Sequence, residues 1–213
     1  MASTDPSLGR DVQAVLVYKG IETPIHGPID KTALVEACDI LVESIGLDMH
    51  DDSIKDTPTR IAKMYDSEIF YGLDYRNFPS CTTIENRMGY DELIVIKQIE
   101  VLSLCEHHFI PFIGYAHIGY IPETKVLGLS KFNRIVDFFA RRPQVQERLT
   151  EQVHAALHHV LQSNDIGVVI RAEHLCVKLR GVKDNNSSTV TSKMTGKFRT
   201  ERALREEFLH LVG

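Results

Sequence analysis

The stretch Arg142-Pro143-Gln144-Val145-Gln146-Glu147-Arg148-Leu149-Thr150 opens a helical pattern around which the other predicted elements are arranged. Proline is favoured at the first position of a helix, and Pro143 is followed by apolar residues at every third or fourth position. These residues are Val145, Leu149, Val153, Leu157 and Val160, and Asn164-Asp165 ends the pattern. A second helix is predicted just before this one, capped by Ser130 and continuing through Ala140.

Strand patterns flank this helix pair on both sides. Before it, residues 92–103 form a β-branched stretch, and 112–121 form a second strand candidate closed by Pro122. After it, strands are predicted over 166–180 and 189–198, followed by a short helix from residue 200. This order predicts an α+β fold in which an antiparallel sheet is backed by helices.

The N-terminal part of the chain has a different composition. Residues 1–28, rich in proline and glycine, are predicted to be loosely ordered. Residues 29–75 form an N-terminal helical segment, with one helix capped by Asp30 and a second that begins at Thr57-Pro58. Because strand patterns begin only after this segment, residues 76–213 are the predicted catalytic domain.

Composition excludes several classes of function. The 213 residues are 43% hydrophobic and 25% charged, with a formal net charge of -5, as in an ordinary globular protein. No basic stripe indicates a nucleic-acid partner, and no apolar run reaches the roughly 18 residues of a membrane span. The first ten residues are polar and lack a signal core, so a cytoplasmic location is predicted. In that reducing compartment, cysteines are more typical as ligands or nucleophiles than as disulfides.

The densest chemical cluster is Cys105-Glu106-His107-His108. One thiol and two imidazoles offer soft and borderline ligands of the kind that bind zinc. The short spacing of Cys105 and His108 lets both side chains reach one ion. The alternative is a surface histidine pair beside a buried cysteine.

A second cluster lies in the predicted strand at residues 174–180. Alternation places four polar side chains on one face, namely His174, Cys176, Lys178 and Arg180. A half-exposed, solvated strand would explain the two cations but not the cysteine. Cys176 is therefore the best-placed third ligand, and three protein ligands leave a position for water, as in catalytic zinc sites. His107 could complete a structural site, but consecutive strand residues face opposite ways.

A third region could bind an anionic substrate. Ser130 and Lys131 begin a helix, where free N–H groups favour phosphate, and Arg134 lies one turn further on the same side. On the neighbouring helix, the carboxylate of Glu147 could accept two hydrogen bonds from guanine. The alternative for both helices is a solvated surface with ordinary charges.

Together these motifs resemble the GTP cyclohydrolase I family, over roughly residues 20–210. The resemblance rests on Cys105–His108, Gly128–Lys131, Arg142–Thr150, His174–Lys178, Glu22–Pro24, Thr57–Met64 and Arg180–Asp184. It implies a tunnelling-type fold, with two long helices on one side of antiparallel strands. It also implies a homo-oligomeric ring, typically a decamer of two stacked pentamers, with active sites between subunits.

The resemblance also implies roles for individual residues. Zinc would be bound by Cys105, His108 and Cys176, and the catalytic residues would be His107, His174 and Ser130. The guanine would be recognised by Glu147 beside Gln146. The triphosphate and ribose would be contacted by Ser130, Lys131, Arg134, Arg180, Arg60 and Lys63. The chain departs from the family pattern at Tyr115, where lysine is usual, and in the Asn- and Ser-rich stretch 184–196.

The implied reaction opens the imidazole ring of GTP at C8 and rearranges the product to 7,8-dihydroneopterin triphosphate plus formate. This is the first step of pterin and folate biosynthesis. Other tunnelling-fold enzymes use three histidines for zinc or a nucleophilic cysteine without metal, and the two-cysteine, one-histidine set argues against both. A guanine-nucleotide-binding module with a structural zinc would not need the His107 and His174 pair.

Overall fold

A ladder of antiparallel strands forms the centre of the fold in the computed structural model, which describes residues 3–213. The strands are β1 (Thr83–Glu85), β2 (Ile94–Cys105), β3 (Pro111–Tyr120), β4 (Lys125–Leu127), β5 (Pro143–Gln144), β6 (Ile166–His174) and β7 (Thr189–Met194). The main sheet has the order β5-β2-β3-β6-β7, and β1 pairs with β4 separately. Every pairing is antiparallel except the two-residue bridge between β5 and β2.

Eight helices accompany these strands in the described part of the chain. They are α1 (Pro6–Tyr18), α2 (Lys31–Ser44), α3 (Thr57–Lys63), α4 (Leu129–Ala140), α5 (Gln146–Leu161), α6 (Leu175–Lys178), α7 (Lys197–Thr200) and α8 (Arg202–Val212). A π-helical segment, Met64–Ile69, continues α3 directly, and two 3₁₀ turns follow it at Tyr71–Leu73 and Tyr75–Asn77.

Helices α4 and α5 pack on one face of the sheet and enclose the main core. Most of their apolar residues are buried because the helical period turns one side of each helix toward the strands. The core includes Phe132, Ile135 and Phe139 of α4, Leu149, Val153 and Leu157 of α5, and Val101, Ala116, Ile118 and Ile170 of the sheet. The predicted α+β fold, in which an antiparallel sheet is backed by two long helices, is confirmed.

The prediction of a loosely ordered N-terminus is wrong for residues 6–18, which form a helix. Pro6 begins α1, and the carboxylate of Asp5 caps the helix by accepting hydrogen bonds from two backbone N–H groups. Val12 and Leu16 are buried in the main core. Pro6 therefore marks the start of a packed helix rather than disorder. Residues 1–2 lie outside the described part, and the division of the chain at residues 28 and 75 stays a prediction.

Other element boundaries differ from the sequence predictions. The carboxylate of Asp30 caps α2 as predicted, but Thr57 is the first residue of α3 and no side chain caps that helix. Helix α5 begins at Gln146 rather than Pro143, because residues 143–144 bond to the end of β2 instead. The predicted strand over 166–180 ends at His174.

One surface of the N-terminal segment is apolar and open. On α2 and just after it, Ile40, Leu41 and Ile45 are 65%, 54% and 64% exposed.

No helix among the described residues combines the length and apolar character that crossing a membrane requires.

The buried histidine His154 on α5 predicts a pH dependence of stability. It is only 5% exposed, and its Nε2 lies 2.9 Å from the Thr195 hydroxyl. Burial, together with the charges of Lys193, His158 and Lys19, lowers the pKa of His154 to about 4. Below pH 6.5 the unfolded chain therefore takes up a proton that the folded chain does not. Stability should fall as the pH drops from about 6.5, by up to about 3 kcal/mol near pH 4.

The measurement is the melting temperature between pH 7 and pH 5. His154→Gln keeps a side-chain N–H but cannot titrate, so its melting temperature should fall less steeply than that of the wild type. His210→Gln, at an exposed position of α8, is the matched control and should follow the wild type. Equal slopes for wild type and His154→Gln would contradict the assignment.

Candidate functional site

The loop between β2 and β3 carries the first cluster. Cys105 is the last residue of β2 and is buried. The loop is closed by hydrogen bonds from the Cys105 N–H to the Ile110 carbonyl (3.0 Å) and from the Phe109 N–H to the Cys105 carbonyl (2.8 Å). Phe109 takes a positive φ of 52° and its ring packs against Tyr65 and Phe70. These contacts hold the loop against the segment that continues α3.

Cys176 reaches this loop by a route that the sequence did not predict. Strand β6 ends at His174 because its pairing partner, Phe112, lies at the start of β3. The next residues form the single turn α6 rather than a strand, so the predicted alternation of side chains over 174–180 is wrong. The turn nevertheless places the Cys176 side chain near the Cys105 thiol, against the core cluster to which Cys105 belongs. Burial, and then the neighbouring Cys105, raises the pKa of Cys176.

The two loop histidines differ in their partners. The Nδ1 atom of His107 lies 3.6 Å from the Cys105 sulfur, whereas the Nε2 atom of His108 lies 3.1 Å from a guanidinium nitrogen of Arg180. Over residues 3–213, no three or more His, Cys, Asp or Glu side chains converge closely enough to hold a metal ion. The donor chemistry nevertheless fits zinc. Two neighbouring thiols ionise together only beside a cation, and His108 already directs a ring lone pair at the cation of Arg180.

The first turn of α5 lies against the same loop. In the β5–β2 bridge, Gln144 pairs with Cys105, and the N–H of Glu106 donates to the Gln144 carbonyl at 2.9 Å. The guanidinium of Arg148 forms an ion pair with the carboxylate of Glu106. No sequence pattern predicted this pair, although both residues lie within the motifs at 105–108 and 142–150. The pair anchors the Cys–His loop to α5.

His174 and the two residues that begin α5 form the other side of the cluster. The ring of His174 stacks on Phe112, with centroids 4.8 Å apart and an angle of 12° between the planes. The His174 Nε2 lies 2.8 Å from the Gln146 side-chain oxygen. Burial lowers the pKa of His174, and the carboxylate of Glu147 opposes this shift. Glu147 itself is exposed, whereas Gln146 is buried.

Ser130, Lys131 and Arg134 are not brought to this cluster within one chain. They lie in the first turns of α4, where Phe132 packs on Tyr120 at the end of β3. The Cys–His loop precedes the opposite end of β3, and ten residues of strand span about 30 Å. Lys131 and Arg134 instead lie near Cys81, where burial raises the thiol pKa to about 11 against the effect of both cations.

The remaining predicted cations occupy exposed positions. Arg180 follows α6 and contacts His108, as described above. Arg60 and Lys63 are exposed on α3, and Arg60 lies 3.5 Å from the carboxylate of Asp56. They are linked to the cluster only indirectly, through the packing of Tyr65 on Phe109. Tyr115 is 53% exposed on β3.

Comparison with known proteins agrees with these motifs. Residues 34–213 match the family model described as GTP cyclohydrolase I. The GTP cyclohydrolase 1 of Aeromonas salmonicida (strain A449) is 50% identical over 203 residues, covering 93% of each chain. The GTP cyclohydrolase 1 of Enterobacter sp. (strain 638) is 46% identical over 217 residues, covering 97% of this chain and 98% of that protein.

Among solved structures, an archaeosine synthase QueF-Like in the apo form superposes with a TM-score of 0.40 at 17% identity. It covers 49% of this chain and 93% of that one. The assignment therefore rests on the family model and on the sequence relatives, which extend over nearly the whole chain. The chain belongs to the GTP cyclohydrolase I family of enzymes.

Proposed function

We propose that this protein is a zinc-dependent hydrolase that opens the guanine imidazole ring of GTP at C8. With one water molecule, the overall reaction gives formate and 7,8-dihydroneopterin triphosphate. The observation that carries this proposal is the grouping of Cys105 and Cys176 at one end of the core, beside two histidines and the first turn of α5. The thiols of Cys105 and Cys176, the imidazole of His174 and the exposed carboxylate of Glu147 therefore lie in one region of the chain.

Cys105, Cys176 and His108 are the proposed zinc ligands. Bound there, zinc would supply a Lewis acid that activates water at neutral pH. His108 would exchange its contact with Arg180 for the metal. Arg180 would then be free to bind an anionic group of the substrate, which links the metal site to the triphosphate.

Recognition of guanine is assigned to Glu147. Its carboxylate is exposed and lies close enough to His174 to raise the pKa of that ring. A base bound to Glu147 would therefore lie near His174. A carboxylate accepts hydrogen bonds from both the N1–H and the amino group of guanine. No side chain caps α5 in the described structure, so the N–H groups of its first turn are available for the base oxygen. His174 would then protonate the imidazole nitrogen. His107 is assigned to opening of the ribose and Ser130 to proton relay during ring closure.

The triphosphate requires a second copy of the chain. Lys131 and Arg134 lie too far from Cys105 and His108 in one chain to contact the same nucleotide, so we assign them to the site of a neighbouring subunit. Arg60 and Lys63 of α3 are assigned to the same triphosphate. The exposed apolar side chains of α2 are surfaces that a homo-oligomer would cover, and a decameric ring is the proposed assembly. The proposed setting is cytoplasmic, in pterin and folate synthesis.

The metal assignment predicts the effect of Cys176→Ser. The purified protein is incubated with GTP and scored for formate and for fluorescent neopterin after oxidation, with and without a chelator. Cys176→Ser should lose most of its bound zinc and lower the rate by on the order of 100-fold or more, because the site loses a ligand. Cys38→Ala, at a buried cysteine of α2, is the control and should keep both properties. Full zinc and full activity in Cys176→Ser would exclude the ligand assignment. A zinc-replete wild type that binds GTP without forming formate would favour a binding module instead.

The guanine assignment predicts the effect of Glu147→Gln. An amide can accept from only one of the two guanine donors and turns its own N–H groups toward the other, so kcat/KM for GTP should fall by about 100-fold. The matched control is Glu151→Gln one turn further along α5, where the carboxylate pairs with Lys193 at 2.8 Å. Steady-state kinetics with GTP and inosine triphosphate provide the measurement. The variant should discriminate less against inosine triphosphate, which lacks the amino group. Unchanged discrimination would place guanine recognition elsewhere.

The shared site predicts complementation between inactive variants. Cys176→Ser and Lys131→Ala chains are unfolded together and reassembled in equal amounts. If each site takes Cys176 from one chain and Lys131 from another, about one quarter of the sites in mixed rings should be intact. Reassembly of Cys105→Ser with Cys176→Ser is the control and should give no recovery, because each chain lacks one ligand. No recovery in the first mixture, at normal ring size, would mean that one chain supplies both groups.

A further inference from the structure

The side-chain amide of Gln146 is buried in a fully hydrogen-bonded setting at the start of α5. Only 1% of the residue is exposed. Its nitrogen lies 3.0 Å from the Ile170 carbonyl oxygen and 3.1 Å from both the Thr189 carbonyl oxygen and the Thr191 hydroxyl. Carbonyl oxygens only accept hydrogen bonds, so the end of the amide that faces them must be the NH₂ group.

A chain of hydroxyl groups agrees with this orientation. The Thr150 hydroxyl donates to the backbone carbonyl of Gln146 at 2.9 Å and lies 2.7 Å from the Thr191 hydroxyl. Because the proton of Thr150 is used on that carbonyl, Thr191 must donate to Thr150. A lone pair of the Thr191 oxygen is then left to accept from the Gln146 nitrogen. The proton arrangement closes without conflict only with the amide nitrogen on this side.

The amide oxygen of Gln146 therefore faces His174, with 2.8 Å between it and the ring Nε2. An amide oxygen cannot donate, so Nε2 must carry a proton. A neutral imidazole carries one proton, which leaves the lone pair on Nδ1. The stacking of the ring on Phe112 fixes its plane, and the hydrogen bond fixes its rotation within that plane.

We propose that Gln146 is a positioning residue that holds His174 in the Nε2–H tautomer and leaves Nδ1 to exchange the proton with the substrate. The tautomer follows from the hydrogen bonds alone, whereas the proton exchange rests on the proposed function. This role differs from the guanine contact that the family resemblance implied for Gln146. The amide nitrogen already has three acceptors within the chain and the residue is only 1% exposed, so Gln146 has no donor left for a base.

Kinetics separate the two roles. Gln146→Met is nearly isosteric but has no acceptor for His174, whereas Gln146→Glu keeps an acceptor oxygen and loses the amide donors. Positioning predicts that Gln146→Met lowers kcat by about 100-fold while KM for GTP and zinc content stay near wild type. Gln146→Glu should restore part of that loss, because the two carbonyls favour its protonated form, whose O–H donates to one of them while the other oxygen accepts from His174. Thr191→Val, which removes a partner on the nitrogen side of the same amide, is the matched control and should keep kcat close to wild type. A rise in KM with kcat retained in Gln146→Met would overturn the proposal in favour of substrate contact.

A spectroscopic measurement tests the tautomer without a variant at position 146. The protein is labelled with ¹⁵N-histidine, and solid-state spectra are recorded at a pH where the imidazoles are neutral. The His174 signals are identified by their loss in His174→Gln. A protonated Nε2 and an unprotonated Nδ1 are expected, and the opposite pattern would overturn the proposal. This result does not depend on turnover. A wild type that shows the expected tautomer but forms no formate would contradict the proposed function. The proposed positioning of His174 by Gln146 would still hold.

Discussion

The two-residue parallel bridge between β5 and the end of β2 is the constraint on which the candidate site depends. It joins Leu104 and Cys105 to Pro143 and Gln144, and the N–H of Glu106 extends it. Because the bridge fixes the backbone that enters α5, the first three side chains of that helix point to three different places. Gln146 bonds to His174, Glu147 remains open to solvent, and Arg148 pairs with Glu106. A helix that began at Pro143 would have lost the bridge and turned these side chains away.

A buried cation, Arg142, also anchors the segment that enters α5. Arg142 has 0% exposure, and its guanidinium packs 4.9–5.2 Å from the ring centroids of Tyr75, Phe138 and Phe139. It pairs with Glu22 at 3.3 Å and donates to the Gly72 carbonyl. Burying a charge is costly unless it is paired, so this cluster ties the segment before α2 to the core. The N-terminal part is thereby coupled to the residues that position the site.

The residues of the proposed site lie in two separate groups on one chain. The thiols and imidazoles lie near the start of β3, whereas Lys131 and Arg134 of α4, the proposed phosphate-binding cations, lie near its end. This separation follows from α4 running alongside the sheet, since its last residue contacts Ser103 near the end of β2 while its first turn lies beside Thr82. Assembly of several chains is therefore part of the proposed chemistry, because it would bring the two groups together.

The sequence by itself determined the elements and the chemical types. Helical and strand periodicities predicted α4, α5, β2 and β3 to within a few residues, because burial of one face leaves a repeating pattern along the chain. The Cys–His cluster and the long motif at residues 142–150 indicated the family. Only the tertiary structure decided that β6 ends at His174, that Cys176 meets Cys105 from a helical turn, and that Gln146 faces inward to His174. These contacts join segments far apart in the chain. Sheet register and one backbone bridge set them, and neither leaves a periodic signal in the sequence.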